Sequence, residues 1–201
     1  MNPFQNLHHW FSYAQFLALT EELVAAGKTT GPDQSPEMVT YTRLNLHRMQ
    51  RWDKTFAVPE ALQNLTHSSR PQIWWVITEP WCGDSASILP QLAAIAAASE
   101  GHIELRIILR DEHPAIMDRY LTNGSRSIPM LVSMAEDDMQ LFVWGPRPAA
   151  LQQVVNAWKA QPGEKNFEDL KTEVQQWYNR DKGEHLTGEI SGQLANLQRV
   201  I

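Results

Sequence analysis

The only cysteine of the chain, Cys82, lies in Glu79-Pro80-Trp81-Cys82-Gly83-Asp84-Ser85, just after an apolar β-branched run and just before an alanine- and leucine-rich segment. This order predicts a strand running into a helix start, with the thiol at the helix N-terminus. Unpaired backbone N–H groups and the positive end of the helix dipole favour a thiolate there, which lowers a cysteine pKa and raises its nucleophilicity. Ser85, three residues on, can donate a hydrogen bond to the same sulfur. Two influences oppose this. The carboxylates of Asp84 and Glu79 disfavour a second anion, and apolar burial by Trp81 pushes the same way, so the sequence leaves the sign of the net shift open. The reactive reading makes Cys82 a nucleophile assisted by Ser85. The plain alternative is a small buried hydrophobe.

A lone cysteine excludes an intramolecular disulfide and a four-cysteine zinc site. The seven histidines are scattered, with only the His8-His9 pair adjacent and no H-x-x-x-H, so no metal site is expected. Arg126 and Arg147 either line the groove beside Cys82 and hold a substrate carboxylate, or stay solvated or pair with Glu79, Asp84 or Asp111. Gly83-Asp84-Ser85 also matches the G-D-S of lipase-like hydrolases. That chemistry needs an Asp-x-x-His, whereas Asp181 and His185 are four apart, which disfavours it.

The elements that must position these residues follow from periodicity. Ile73 to Thr78 is a continuous apolar run, as in a strand buried on both faces of a sheet. Ser85 to Ser99 predicts a helix containing Pro90, Ile103 to Leu109 a second strand, and His113 to Leu121 a further helix. Pro129 to Met134 and Met139 to Trp144 form a hairpin-like pair around Glu136-Asp137-Asp138, and Pro148 to Ala160 a helix. The order β-α-β-α-β-β-α predicts an α/β sandwich with a central mixed sheet over residues 71–161. Before it, residues 1–70 read as a helical extension packed on that core, with helices over 10–26, from Ser35 to about Asp53, and over Pro59 to His67. Phe167, Leu170, Val174 and Trp177, then Ile190, Leu194, Leu197 and Ile201, recur at helical spacing in a C-terminal tail over 162–201.

Composition narrows the partners. Lys+Arg 17 against Asp+Glu 23 gives a formal charge of −6, without the basic clustering that phosphate neutralisation requires, so no nucleic acid partner is expected. No stretch approaches the roughly 20 apolar residues of a membrane span, and the N-terminus has no signal-like apolar run, so no membrane and a cytoplasmic location are expected. The sequence sets no oligomeric state.

Trp81-Cys82-Gly83-Asp84-Ser85 at a strand-to-helix junction resembles the Trp-Cys-x-x-Cys site of the thioredoxin superfamily, with serine in place of the second cysteine. Pro90 matches the proline of that family's active-site helix. Ser127-Ile128-Pro129, with the proline 47 residues after Cys82, looks like its cis-proline loop, and Trp144-Gly145 falls where the family places a glycine before its last helix. Arg110-Asp111, Leu121 to Pro129 and Trp144 to Pro148 further resemble a bacterial thioredoxin-like branch that lends no activity of its own. The resemblance covers about residues 72–160. It implies a thioredoxin-like sandwich, with Trp81, Gly83, Asp84, Arg126, Ile128, Pro129 and Gly145 around the substrate.

The departures shape the expected function. Without a second cysteine, no resolving thiol can free a mixed disulfide. Val76 stands where thioredoxins keep a buried acid. Cys82-Gly83-Asp84-Ser85 also resembles the C-G-F-S site of monothiol glutaredoxins, but the glutaredoxin Gly-Gly-Cys-Asp clamp is absent. The resemblance therefore implies a monothiol protein, a thiol–disulfide oxidoreductase acting by exchange or deglutathionylation on a protein or peptide disulfide. No cofactor is expected, and glutathione is admitted as a co-substrate. The rival is a non-catalytic module that binds a protein or peptide.

Overall fold

The computed structural model describes residues 2–161 and 166–199. Its sheet is built from β1 (Gln72–Thr78), β2 (Ile103–Leu109), β3 (Met130–Ala135) and β4 (Gln140–Trp144), in the order β2-β1-β3-β4. β1 pairs parallel with β2 and antiparallel with β3, and β3 pairs antiparallel with β4. This is the mixed sheet that the strand order predicts.

Strand periodicity explains how one sheet serves two cores. Trp74 and Val76 enter the larger apolar cluster, while Trp75 and Ile77 enter a smaller one on the opposite face. The buried Trp74 indole N–H donates to Gln72 Oε1 at 2.9 Å, and Ser133 Oγ donates to the same oxygen at 2.7 Å. Paired this way, these polar groups can lie in the core without leaving a donor unsatisfied.

The larger cluster is covered by helices. α1 (Tyr13–Ala25), α2 (Pro36–Thr55) and α3 (Glu60–His67) precede the sheet, α4 (Gly83–Ala97) follows β1, and α6 (Ala149–Ala160), α7 (Phe167–Asp181) and α8 (Glu184–Gln198) come after it. Phe16, Met49, Trp52 and Leu62 of the first three helices join Trp74, Leu92 and Ile95 in one continuous core. α4 is buried nearly all round, with Ser85 through Leu92 all buried, because α2 packs on the side that the sheet does not cover. Each of Ile88, Leu89, Leu92 and Ile95 contributes about 1.5–3 kcal/mol of burial before its entropy loss.

Several boundaries differ from the expectation. The first helix starts at Tyr13, not at residue 10, because Phe11 exchanges two 2.8 Å backbone hydrogen bonds with Ile107 at the edge of β2. Ser12 then caps the helix in a reciprocal capping box with Gln15. The preceding residues form a strap: Phe4 stacks on Trp75 at 4.7 Å and Trp10 meets the same ring edge-on. The helix expected to reach Leu121 is only α5 (Pro114–Met117). Beyond it the hydrogen bonds tighten to three-residue spacing, including Tyr120 N–H to the Met117 carbonyl, and Tyr120 stacks on Phe4. In the tail, Tyr178 and not its neighbour Trp177 is the fully buried aromatic. Ile201 lies outside the described residues.

Candidate functional site

Cys82 is the N-cap residue of α4, with extended backbone angles (φ −79°, ψ 117°), so the sulfur sits over the first turn. The backbone N–H groups of Asp84 and Ser85 and the Ser85 side chain favour the thiolate, although no N–H of the first turn closes a cap hydrogen bond to the sulfur. Thr78 Oγ1 donates to Ser85 Oγ at 2.6 Å, which leaves the Ser85 hydroxyl proton for the sulfur. On its other side Cys82 Sγ donates to the Ile128 carbonyl at 3.3 Å, and the Ile128–Pro129 peptide is cis. The shift whose sign the sequence leaves open is upward. Burial, with the Asp84 charge second, outweighs the helix N-terminus and pushes the thiol pKa up to about 11.

Asp84 is tied on both sides. Arg147 from the β4–α6 turn reaches Asp84 Oδ2 through Nη2 at 2.5 Å and Nε at 3.2 Å, and Tyr178 Oη from α7 donates to Oδ1 at 2.8 Å. Side-chain exposures of 11% for Asp84 and 17% for Arg147 make this a mostly buried ion pair. Burial works against the Arg147 charge, but Asp84 more than offsets it and holds the guanidinium above its ordinary pKa.

Glu79 turns away from the thiol. Its carboxylate is fully buried, accepting from Thr30 Oγ1 and from the Asp111 N–H at 2.8 Å. Desolvation, only partly countered by these bonds, pushes its pKa up to about 7. Val76 offers no acid, as the sequence implies, yet a buried acid does stand three residues before the cysteine.

A sequence profile of the family described as Thioredoxin matches residues 31–159. The chain belongs to the thioredoxin family. That match begins at the loop before α2. Two solved structures are similar in fold. A protein of unknown function from Pseudomonas aeruginosa is 19% identical with a TM-score of 0.57, covering 92% of this chain and 98% of that one. An HIV epitope-scaffold is 18% identical with a TM-score of 0.55, covering 92% and 99%. Among curated proteins none matches the sequence.

In this thioredoxin-family site, the fold brings Trp81, Cys82, Gly83, Asp84, Ser127 and Arg147 to one wall of a cavity of about 710 Å³. α2, α6 and α7 supply the other walls. Ser85 lies beneath this surface with 2% exposure. The Ile128 carbonyl backs onto the sulfur, and Gly145 packs against Pro129 and Met130. At its φ of +131°, a Cβ on Gly145 would stand 2.5 Å from the Pro129 carbonyl oxygen. Arg126 is not among the cavity residues. Asp118 holds it through two hydrogen bonds of 2.6 and 2.8 Å, a pairing absent from the alternatives the sequence suggests. Trp81 lies against Arg110, whose guanidinium carbon is 4.6 Å from a ring centroid.

Sequence reasoning misses the helical residues that meet this turn. Asn45, fully buried on α2, donates to the Pro80 carbonyl at 2.9 Å, and Gln175 of α7 donates to the Gly83 carbonyl at 3.4 Å. Asn45 had a local signal, since it is an amide on the buried face with Thr42, Leu46 and Met49. Tyr178 and Gln175 had none. Among the described residues no group of three or more His, Cys, Asp or Glu could hold a metal ion, and no helix is long and apolar enough to cross a membrane.

Proposed function

We propose that this protein is a monothiol member of the thioredoxin family that exchanges disulfides through Cys82. The observation that carries the reading is Cys82 Sγ at the N-cap of α4, donating to the Ile128 carbonyl at 3.3 Å beside an open cavity. After its proton leaves to solvent, the Cys82 thiolate attacks one sulfur of a disulfide, forming a mixed disulfide and expelling the other sulfur as a thiolate that takes up a proton. An external low-molecular-weight thiol, glutathione among the candidates, then attacks the mixed disulfide and returns Cys82. Ser85 and the helix N-terminus stabilise the thiolate, and the Ile128-Pro129 backbone pairs with the bound substrate.

A thiol held near pKa 11 is mostly protonated at neutral pH, and this favours a second reading, a non-catalytic binding module. Turnover separates the two. The protein is incubated with a glutathionylated peptide and reduced glutathione, and free peptide is followed against a Cys82→Ser control. Release faster than the control supports exchange. Release equal to it, with peptide still retained by the protein, selects the binding module. In a second assay, thioredoxin reductase with NADPH is expected to give no sustained disulfide reduction, because a single thiol cannot be recycled by a dithiol reductant cycle.

A further inference from the structure

The cavity beside Cys82 carries a cation, Arg48, that has no carboxylate partner among the described residues. Arg48 of α2 donates through Nη1 to the neutral Asn45 Oδ1 at 2.8 Å. Of the other cations of the wall, Lys159 is exposed to solvent and the remaining two are paired. Arg147 is matched by Asp84, and Lys171 by Glu168 and Glu37. Arg48 is also close to the thiol turn, since a Cβ built on Gly83, the residue after Cys82, would lie 3.7 Å from Arg48 Nη1. The guanidinium is half-buried, and its pKa is lowered by that burial and by Arg51. A planar donor fork with unused N–H groups, partly out of water and facing a cavity, suits a carboxylate.

The cavity also limits the size of its occupant. About 710 Å³ lies within the range of small-molecule sites, and its aromatic lining, with Tyr41, Trp81, Trp158 and Phe167, suits a compact ligand. Cys82 lines this cavity together with residues of α2 and α7 and has a residue exposure of 8%.

We infer that this cavity is the subsite for a carboxylate-bearing low-molecular-weight thiol or its disulfide, with Arg48 binding the carboxylate while the sulfur faces Cys82. The inference rests on the exchange reading and names its co-substrate class. In the step, the Cys82 thiolate attacks the carboxylate-bearing disulfide, the Cys82–sulfur bond forms, the original S–S bond breaks, and the departing thiolate is protonated by solvent. The carboxylate keeps its charge throughout.

The test compares mixed-disulfide formation on Cys82, read by intact mass, with 3,3′-dithiodipropionate and with neutral 2-hydroxyethyl disulfide. The wild type is expected to react about tenfold faster with the anionic reagent after correction for intrinsic reactivity toward a free thiol. That ratio should fall toward one in Arg48→Met and be partly restored in Arg48→Lys. A wild-type ratio near one, or a ratio kept in folded Arg48→Met, overturns the assignment. If neither reagent modifies Cys82, the exchange reading fails instead. The subsite is then read by NMR titration with unreactive S-methylglutathione. Shifts at the Gly83 amide that vanish in Arg48→Met sustain it, and their absence in the wild type overturns it.

Discussion

Tyr178, from a helix beyond the sheet, donates its phenolic O–H to Asp84 Oδ1 at 2.8 Å, two residues from the cysteine. The same carboxylate meets Arg147, so two distant segments converge on one side chain of the Cys-x-x-Ser turn. Tyr178→Phe removes one charge-assisted hydrogen bond in a buried setting and is expected to cost about 2 kcal/mol. Urea unfolding checks it. A change below about 0.5 kcal/mol means the bond contributes little.

Asp84→Asn bears on the thiol itself. Burial and the Asp84 charge raise the Cys82 pKa to about 11, and the amide removes the second influence while leaving Arg147 in place. The pH profile of iodoacetamide alkylation should move to lower pH, and the thiolate fraction at pH 8 should rise in proportion to the fall in the thiol's proton affinity. Stability should fall by up to about 3 kcal/mol, since Arg147 loses its counter-charge but keeps an acceptor. An unmoved alkylation profile contradicts the electrostatic account.

Glu79 gives the protein a pH-dependent stability. Its pKa is raised by burial from the ordinary 4.5 to about 7, so the folded state holds a proton that the unfolded chain releases. The contribution is fully present below pH ~4.5, declines as pH rises toward ~7, and changes no further above it. The full span is on the order of 3 kcal/mol. Unfolding free energies of wild type and Glu79→Gln, measured from pH 4.5 to 8, should diverge over this window in that direction. Parallel curves count against a buried protonated Glu79.

Gly145→Ala tests the close approach of two loops. Its φ of +131° disfavours any side chain, and the added Cβ would press on the Pro129 carbonyl oxygen, a backbone atom that cannot swing aside. The expected cost exceeds about 2 kcal/mol. Differential scanning calorimetry of the variant checks it, and an unchanged melting temperature would mean that the loops can separate freely.

The sequence by itself determined the strand-to-helix junction at Cys82, because a continuous apolar run followed by a turn and an alanine-rich helix is a local pattern. For the same reason β2 begins at Ile103 and ends at Leu109 as periodicity predicts, and the hairpin around Asp137 lies where alternation places it. Family resemblance marks Gly145 as the glycine before the last helix of the sheet domain, while its approach to the Pro129 carbonyl is a tertiary outcome. Tertiary structure alone decided the chemistry of the site. Whether a helix N-terminus lowers a thiol pKa or burial raises it depends on what covers α4, and that cover, α2, is distant in sequence. Arg147 finding Asp84 while Arg126 finds Asp118 is a choice among charges that spacing cannot rank. Tyr178 reaches Asp84 and Arg48 comes near Gly83 only because helices outside the sheet close around the cysteine's turn, a long-range packing outcome that no window of neighbouring residues encodes.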